Sequence, residues 1–113
     1  MPDTCLFCRI VRKEIPATIV WEDPNTLAFR DIDPKAPTHV LVIPKTHVST
    51  LNNATDGTML GRLLLAAREI AAEEGIAESG YRTVLNCGAG AGQTVFHLHL
   101  HLLGGRKFSW PPG

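Results

Sequence analysis

Three histidines alternate with leucines in Phe96-His97-Leu98-His99-Leu100-His101-Leu102-Leu103, gathering three of the chain's five histidines into five residues. An extended chain has a side-chain period of two. His97, His99 and His101 therefore project from one face and Leu98, Leu100 and Leu102 from the other. Same-face neighbours stand roughly 6.5 to 7 Å apart, close enough for several rings to surround one phosphate or one metal ion. The leucine face reads as core and the imidazole face as a site. Three alternating histidines can also form a plain polar face, although such faces more often carry Lys, Glu or Thr.

Just before this run lies Asn86-Cys87-Gly88-Ala89-Gly90-Ala91-Gly92-Gln93-Thr94, with three glycines in five residues and then an amide and a hydroxyl. Backbone N–H groups in such a turn can form an anion nest, and without Cβ atoms a phosphate approaches the main chain closely. The loop could equally be a flexible hairpin connection. It is neither a Rossmann nor a Walker loop, because no Gly-Lys-Ser/Thr is present and the next element reads as a strand. A phosphate held there would sit at the start of the histidine face. Cys5-x-x-Cys8 is the other chemically suggestive pair, open to a metal-site reading or to two small buried hydrophobes on a short helix. Cys87 has no obvious partner.

The elements that must position these groups follow from hydrophobic period and punctuation. Leu6, Phe7, Ile10 and Val11 predict a short helix over 5–13, closed by Pro16. Residues 18–22, 26–31 and 39–43 read as strands separated by Asp-Pro-Asn and Asp-Pro-Lys-Ala-Pro, the first two as a hairpin. Met59, Leu60, Leu63, Leu64, Ala67, Ile70 and Ala71 share a helical stripe over 56–74, with Thr55 or Asp56 as N-cap and Gly75 as the stop. Residues 81–86 and 94–103 supply two further strands. Strands grouped around a single long helix predict an α+β domain with a mainly antiparallel sheet.

At 113 residues the chain suits one domain over 1–113. The hydrophobic share of 44%, charged share of 19% and zero net charge argue against bulk nucleic-acid binding. No stretch approaches the ~20 apolar residues of a membrane span, and the N-terminus lacks a signal-peptide pattern. Three cysteines, an odd number, fit a reducing compartment, and the expected location is the cytoplasm.

The run His97-Leu98-His99-Leu100-His101-Leu102-Leu103 resembles the histidine triad of the HIT superfamily of nucleotide hydrolases and transferases. Ile15-Pro16-Ala17, Leu27-Ala28-Phe29, Asp31-Ile32-Asp33-Pro34, Ala36-Pro37-Thr38-His39, Ile43-Pro44-Lys45, Gly92-Gln93-Thr94-Val95 and Trp110-Pro111-Pro112-Gly113 extend the resemblance, to the Hint branch, over nearly the whole chain. It implies a five-stranded antiparallel sheet, a homodimer joining two sheets, and hydrolysis of purine nucleoside 5'-phosphoramidates and aminoacyl adenylates. It implies no organic cofactor.

Carried over by position, the resemblance makes His99 the nucleophile, His101 the phosphate contact that protonates the leaving group, and His39 a fourth active-site histidine. Gly92, Gln93 and Thr94 match the phosphate-binding turn, and Asn86 a ribose or phosphate contact. Asp31 with Ile32 matches the ribose and base pocket, and Leu6 with Phe7 its apolar wall. Thr94 stands where many Hint members have serine, and Arg30 where a histidine is common. Cys5, Cys8, His47 and His97 match the zinc ligands of bacterial relatives, a chemically sound Cys₂His₂ set for structural zinc. Two other classes stay open: a metal-dependent hydrolase with an ion on the His97-His99-His101 face, and a nucleotide-binding regulator without turnover.

Overall fold

A computed structural model describes residues 4–113. Two helices and five strands follow in the order α1 (Leu6–Val11), β1 (Ile19–Glu22), β2 (Thr26–Arg30), β3 (Thr38–Pro44), α2 (Gly57–Glu73), β4 (Tyr81–Val84) and β5 (Leu100–Gly104). The strands form one antiparallel sheet in the order β1-β2-β3-β5-β4. The α+β expectation is met. Among the described residues, no helix is long and apolar enough to cross a membrane.

Each helix begins and ends on identifiable chemistry. Asp56 caps α2 by accepting the N–H groups of Thr58 and Met59 at 3.0 and 3.2 Å. Gly75, with φ +74°, stops it, as Gly75 and Ile76 donate N–H groups back to Ala72 and Ala71 at 3.2 and 3.0 Å. The same closure ends α1, with Lys13 at φ +63° where glycine is usual: Lys13 N–H bonds the Ile10 carbonyl and Glu14 N–H that of Arg9. Asp23 Oδ1 accepts the N–H groups of Asn25 and Thr26, both at 2.8 Å, and so tightens the β1–β2 hairpin.

β3 is buried along its whole length because both sheet faces are covered. On one side α2 lays Leu63, Ala67, Ile70 and Ala71 over Val40, Val42, Leu98, Leu100 and Leu102. On the other, α1 brings Phe7 and Ile10 against Leu27, Phe29, Leu41 and Ile43. The alternation of the triad run therefore holds, but the imidazole face is itself largely covered: His97 is 0% and His99 8% exposed.

Two expectations need correction. The last strand was expected over 94–103, yet paired structure begins only at Leu100, so His97 and His99 precede it. That segment pairs with the loop after β3, where Leu98 N–H donates to the Val48 carbonyl at 2.6 Å. Leu64, placed on the buried stripe of α2, is 53% exposed, while Ala66 is buried. At 100° per residue Leu64 falls on the flank of the arc centred on Leu63, Ala67 and Ile70, beyond the reach of the sheet.

Arg30 closes the end of β2 on the end of α2, its guanidinium donating to both carboxylate oxygens of Glu74 at 2.8 and 3.0 Å. The C-terminal segment returns along β4, with the Arg82 guanidinium 5.2 Å from the Phe108 ring centre. Gly104 packs where a Cβ would run into the side chain of buried Ile76, directly behind the α2 stop. Gly104→Ala should lose about 1–3 kcal/mol of stability in urea unfolding. Gly57→Ala, at a helix start with open space around it, should change stability by less than about 1 kcal/mol.

Candidate functional site

A cavity of about 780 Å³ opens on the α1 side of the sheet. Its apolar lining includes Leu6, Phe7, Ile10, Phe29, Leu41 and Val95, and its polar lining includes Asp31, Asn86, Thr94, His99 and His101. A mainly apolar cavity with a few polar groups suits a ligand with a flat apolar body and a polar or anionic substituent. Of the residues singled out by resemblance for nucleotide contact, Leu6, Phe7, Asp31, Ile32, Asn86, Gly92, Thr94, His99 and His101 line it. Ile32 stands fully exposed at the rim (101%).

Gln93 does not face the cavity. It is buried, its Oε1 accepts Gly88 N–H at 2.8 Å, and its Nε2 donates to the Ser49 and Val95 carbonyls at 2.9 and 3.1 Å. Ala91 and Gln93 N–H both return to the Gly88 carbonyl, and Gly92 N–H to that of Ala89. The amides of Gly88, Ala91, Gly92 and Gln93 thus hold the loop's own shape, and Gly92 and Thr94 line the cavity. Sequence reasoning gave no role to Ile10, Phe29, Leu41 or the 15–18 segment. Ile15-Pro16-Ala17 and Leu27-Ala28-Phe29 were visible as motifs, but nothing in them signals which side of the sheet they wall.

Backbone groups set the tautomer of each key imidazole, since a carbonyl can only accept and an amide N–H only donate. His99 Nδ1–H donates to the His97 carbonyl at 2.7 Å, which leaves the Nε2 lone pair free. His97 Nε2–H donates to the Pro44 carbonyl at 2.8 Å, which leaves its Nδ1 lone pair free. Lys35 N–H donates to His39 Nδ1 at 3.0 Å, so the His39 proton sits on Nε2 and donates to His101 Nδ1 at 2.9 Å. A neutral His101 then carries its proton on Nε2. Burial pushes His101 down to about 4, helped by His99 and His39 and opposed by Asp31. Burial likewise lowers His39 and takes His97 to about 4, so these rings stay neutral near pH 7.

Among the described residues, two groups of potential ligand atoms lie close enough to share an ion: Cys5, Cys8, His47 and His97, and Asp31, His39 and His101. The first fits one. His97 Nδ1 lies 3.4 Å from Cys5 Sγ, 3.5 Å from Cys8 Sγ and 3.3 Å from His47 Nδ1, and Cys8 Sγ lies 3.3 Å from His47 Nδ1. Zn–N and Zn–S bonds of about 2.0–2.3 Å give a tetrahedron with ligand edges of about 3.3–3.8 Å. The His97 tautomer presents the required lone pair, and its Pro44 bond is the outer support that metal-bound imidazoles normally have. Burial and the neighbouring Cys5 push the Cys8 thiol up to about 11.

The second group does not fit. The Lys35 amide forces the His39 proton onto Nε2, the atom a metal would need, so His39 and His101 form a proton-carrying contact with Asp31 Oδ2 3.5 Å from His39 Nε2. Nor do the three triad histidines converge on one ion. The His97 lone pair turns to the cysteines, whereas the His99 and His101 rings lie 5.0 Å apart at the cavity.

Comparison with known proteins agrees with this geometry. The profile of the HIT domain matches residues 12–108. The purine nucleoside phosphoramidase of Escherichia coli is 48% identical over 108 residues, covering 94% of this chain and 91% of that protein. The 14 kDa zinc-binding protein of Zea mays is 50% identical over 112 residues, covering 96% of this chain and 87% of that one. The crystal structure of a HIT family hydrolase from Legionella pneumophila superposes with a TM-score of 0.95 at 55% identity, covering 97% of this chain and all of that one. With the HIT domain matched over residues 12–108 and the backbone superposing on a HIT family hydrolase over nearly its full length, the chain belongs to the HIT family of hydrolases.

Proposed function

We propose that this HIT hydrolase, a single domain over 1–113, cleaves the P–N bond of purine nucleoside 5'-phosphoramidates through a nucleotidyl intermediate on His99. The observation that carries the reading is the 2.7 Å bond from His99 Nδ1–H to the His97 carbonyl, which frees Nε2 as a nucleophile beside the cavity. The apolar slot between Phe7, Ile10, Phe29 and Leu41 accommodates a purine. Asp31 and Asn86 offer polar contacts for the ribose, and Thr94 and His101 for the phosphate. The name of the Escherichia coli relative supports the same substrate class.

In this mechanism the anionic phosphoryl group entering beside His101 draws a proton from solvent onto the His101–His39 pair, the His99 Nε2 lone pair attacks the α-phosphorus, the P–N bond to the amine breaks, and the amine departs with that proton through His101 Nε2. Giving up that proton returns the pair to its neutral state as His99 gains positive charge on attack, 5.0 Å away. Water then attacks the same phosphorus, the bond to His99 breaks, and one of the water's protons restores the His101–His39 pair. His39 positions His101, and Gln93 positions the loop that carries Thr94. Zinc held by Cys5, Cys8, His47 and His97 would supply a structural cross-link and take no part in the reaction.

A homodimer suits the surface that remains. Leu64 and Leu65, 53% and 54% exposed, stand on α2, and β4 leaves one edge of the sheet unpaired. Reduced cysteines at a metal-type site suit the cytoplasm.

Intact mass spectrometry of protein quenched during turnover of an adenosine phosphoramidate should detect a nucleotidyl adduct on His99. His99→Ala should show none and lose at least about 10³ in kcat. An adduct on another residue would reassign the nucleophile. Because His101 is held near 4 while an unfolded histidine titrates near 6.5, the unfolded state binds more protons between those values. The stability due to burying neutral His101 is present above pH 6.5 and is lost as pH falls toward about 4. Nitrogen NMR should find His101 as the Nε2–H tautomer across that range, and a midpoint near 6.5 would rule the arrangement out. Leu65→Glu should shift the sedimentation of the protein from dimer to monomer, with kcat measured alongside.

A further inference from the structure

Cys5 and Cys8 enclose Leu6 and Phe7, which with Ile10 are the α1 residues that wall the nucleotide cavity. The turn that offers two thiols to an ion is thus the turn that shapes the pocket. Cys5 also caps α1, its Sγ accepting Cys8 N–H at 3.3 Å. At six residues α1 is far below the ~12–15 at which a helix holds itself in water, so its placement depends on its anchors. Those anchors are the packing of Phe7 and Ile10 and the convergence of both thiols on His47 and His97.

The cluster also reaches the cavity from the triad side. The Phe7 ring stands edge-on to His97 and His99, with centres 6.0 and 5.1 Å away, and the His97 carbonyl holds the His99 ring. A second cavity of about 410 Å³ opens on the cluster at Cys5 and His47 and shares Leu6, Thr94 and Val95 with the first. Ions in solution therefore have a route to the ligands that does not pass through the nucleotide site.

We propose that metal binding at Cys5, Cys8, His47 and His97 and nucleotide binding in the cavity are positively coupled, with Leu6 and Phe7 as their shared wall. The choice of nucleotide rests on the phosphoramidase reading. Without the ion, apolar packing, weak thiol–imidazole contacts and the Lys13–Glu22 pair beyond the helix place the wall, and the nucleotide must complete its ordering on entering. With the ion, the wall is set in advance and that ordering no longer opposes binding. Linkage requires reciprocity: the factor by which the ion tightens nucleotide binding is the factor by which the nucleotide tightens ion binding.

The test uses the full chain, zinc-loaded and metal-free, titrated with AMP by calorimetry, and Zn²⁺ affinity from chelator competition with and without saturating AMP. The expected result is roughly tenfold tighter AMP binding in the loaded form and the same factor in Zn²⁺ affinity. Equal AMP affinity in the two forms, or no Zn²⁺ binding, overturns the proposal. Amide hydrogen exchange should show residues 6–11 losing protection on metal removal while residues 63–71 keep theirs. Loss in both segments would make zinc a general folding cofactor and overturn a local wall. AMP binding to neither form removes the phosphoramidase reading and the nucleotide half of the coupling, and exchange at 6–11 still decides whether the ion sets the wall. His47→Gln should reproduce the metal-free AMP affinity even in excess Zn²⁺. His47 does not line the nucleotide cavity, so its loss removes no nucleotide contact. Cys5→Ser, at a half-buried site, gives the same reading where Cys8→Ser at a fully buried one fails to fold.

Discussion

His97 holds the site together through three bonds that a single residue makes at once. Its Nε2–H binds the Pro44 carbonyl at the end of β3, its Nδ1 faces Cys5, Cys8 and His47, and its own carbonyl receives the His99 Nδ1–H. Each bond needs the others. The Pro44 contact selects the tautomer that can serve a metal, the cysteines draw α1 onto the sheet, and the carbonyl orients the neighbouring ring. By symmetry with His99 and His101 this residue looks catalytic. Its complete burial and committed atoms make it a strut between the central strand, the first helix and the His99 ring.

The same reasoning separates two clusters that composition alone would treat alike. Both contain histidines within ligand distance of one another and of an anionic or sulfur partner. One backbone carbonyl at Pro44 turns the first toward metal chemistry, and one backbone amide at Lys35 turns the second toward proton chemistry. Protonation state follows from which main-chain group stands behind each ring. Burial then keeps the rings neutral, so those assignments persist at ordinary pH.

Much of this was legible in the sequence because it depends on local period and punctuation. The two-residue alternation divided Leu98, Leu100 and Leu102 from the histidines, and Asp56 and Gly75 marked the ends of α2. The residues of the cavity's polar lining were legible as motifs. What stayed hidden depends on partners distant in the chain. Nothing near Gln93 shows that Ser49 will take its amide, and nothing near His39 shows that its proton faces His101. The covering of the second sheet face required knowing where six residues of α1 would dock. The early end of pairing at Leu100 required knowing that Val48 would claim Leu98.

The clasp between Arg30 and Glu74 bears on how this pocket can diversify. Arg30 directly precedes Asp31 at the cavity, yet its guanidinium is bound on both prongs by Glu74, the residue that caps the long helix, with Thr38 Oγ1 3.5 Å from the same carboxylate. Replacing the arginine alone would leave a half-buried carboxylate without its cation, and replacing the glutamate alone would strand the guanidinium. Substitutions at the two positions are therefore non-additive. A change at the residue beside Asp31 is felt at the end of the distant helix, and this one pair ties the rim of the pocket to its scaffold.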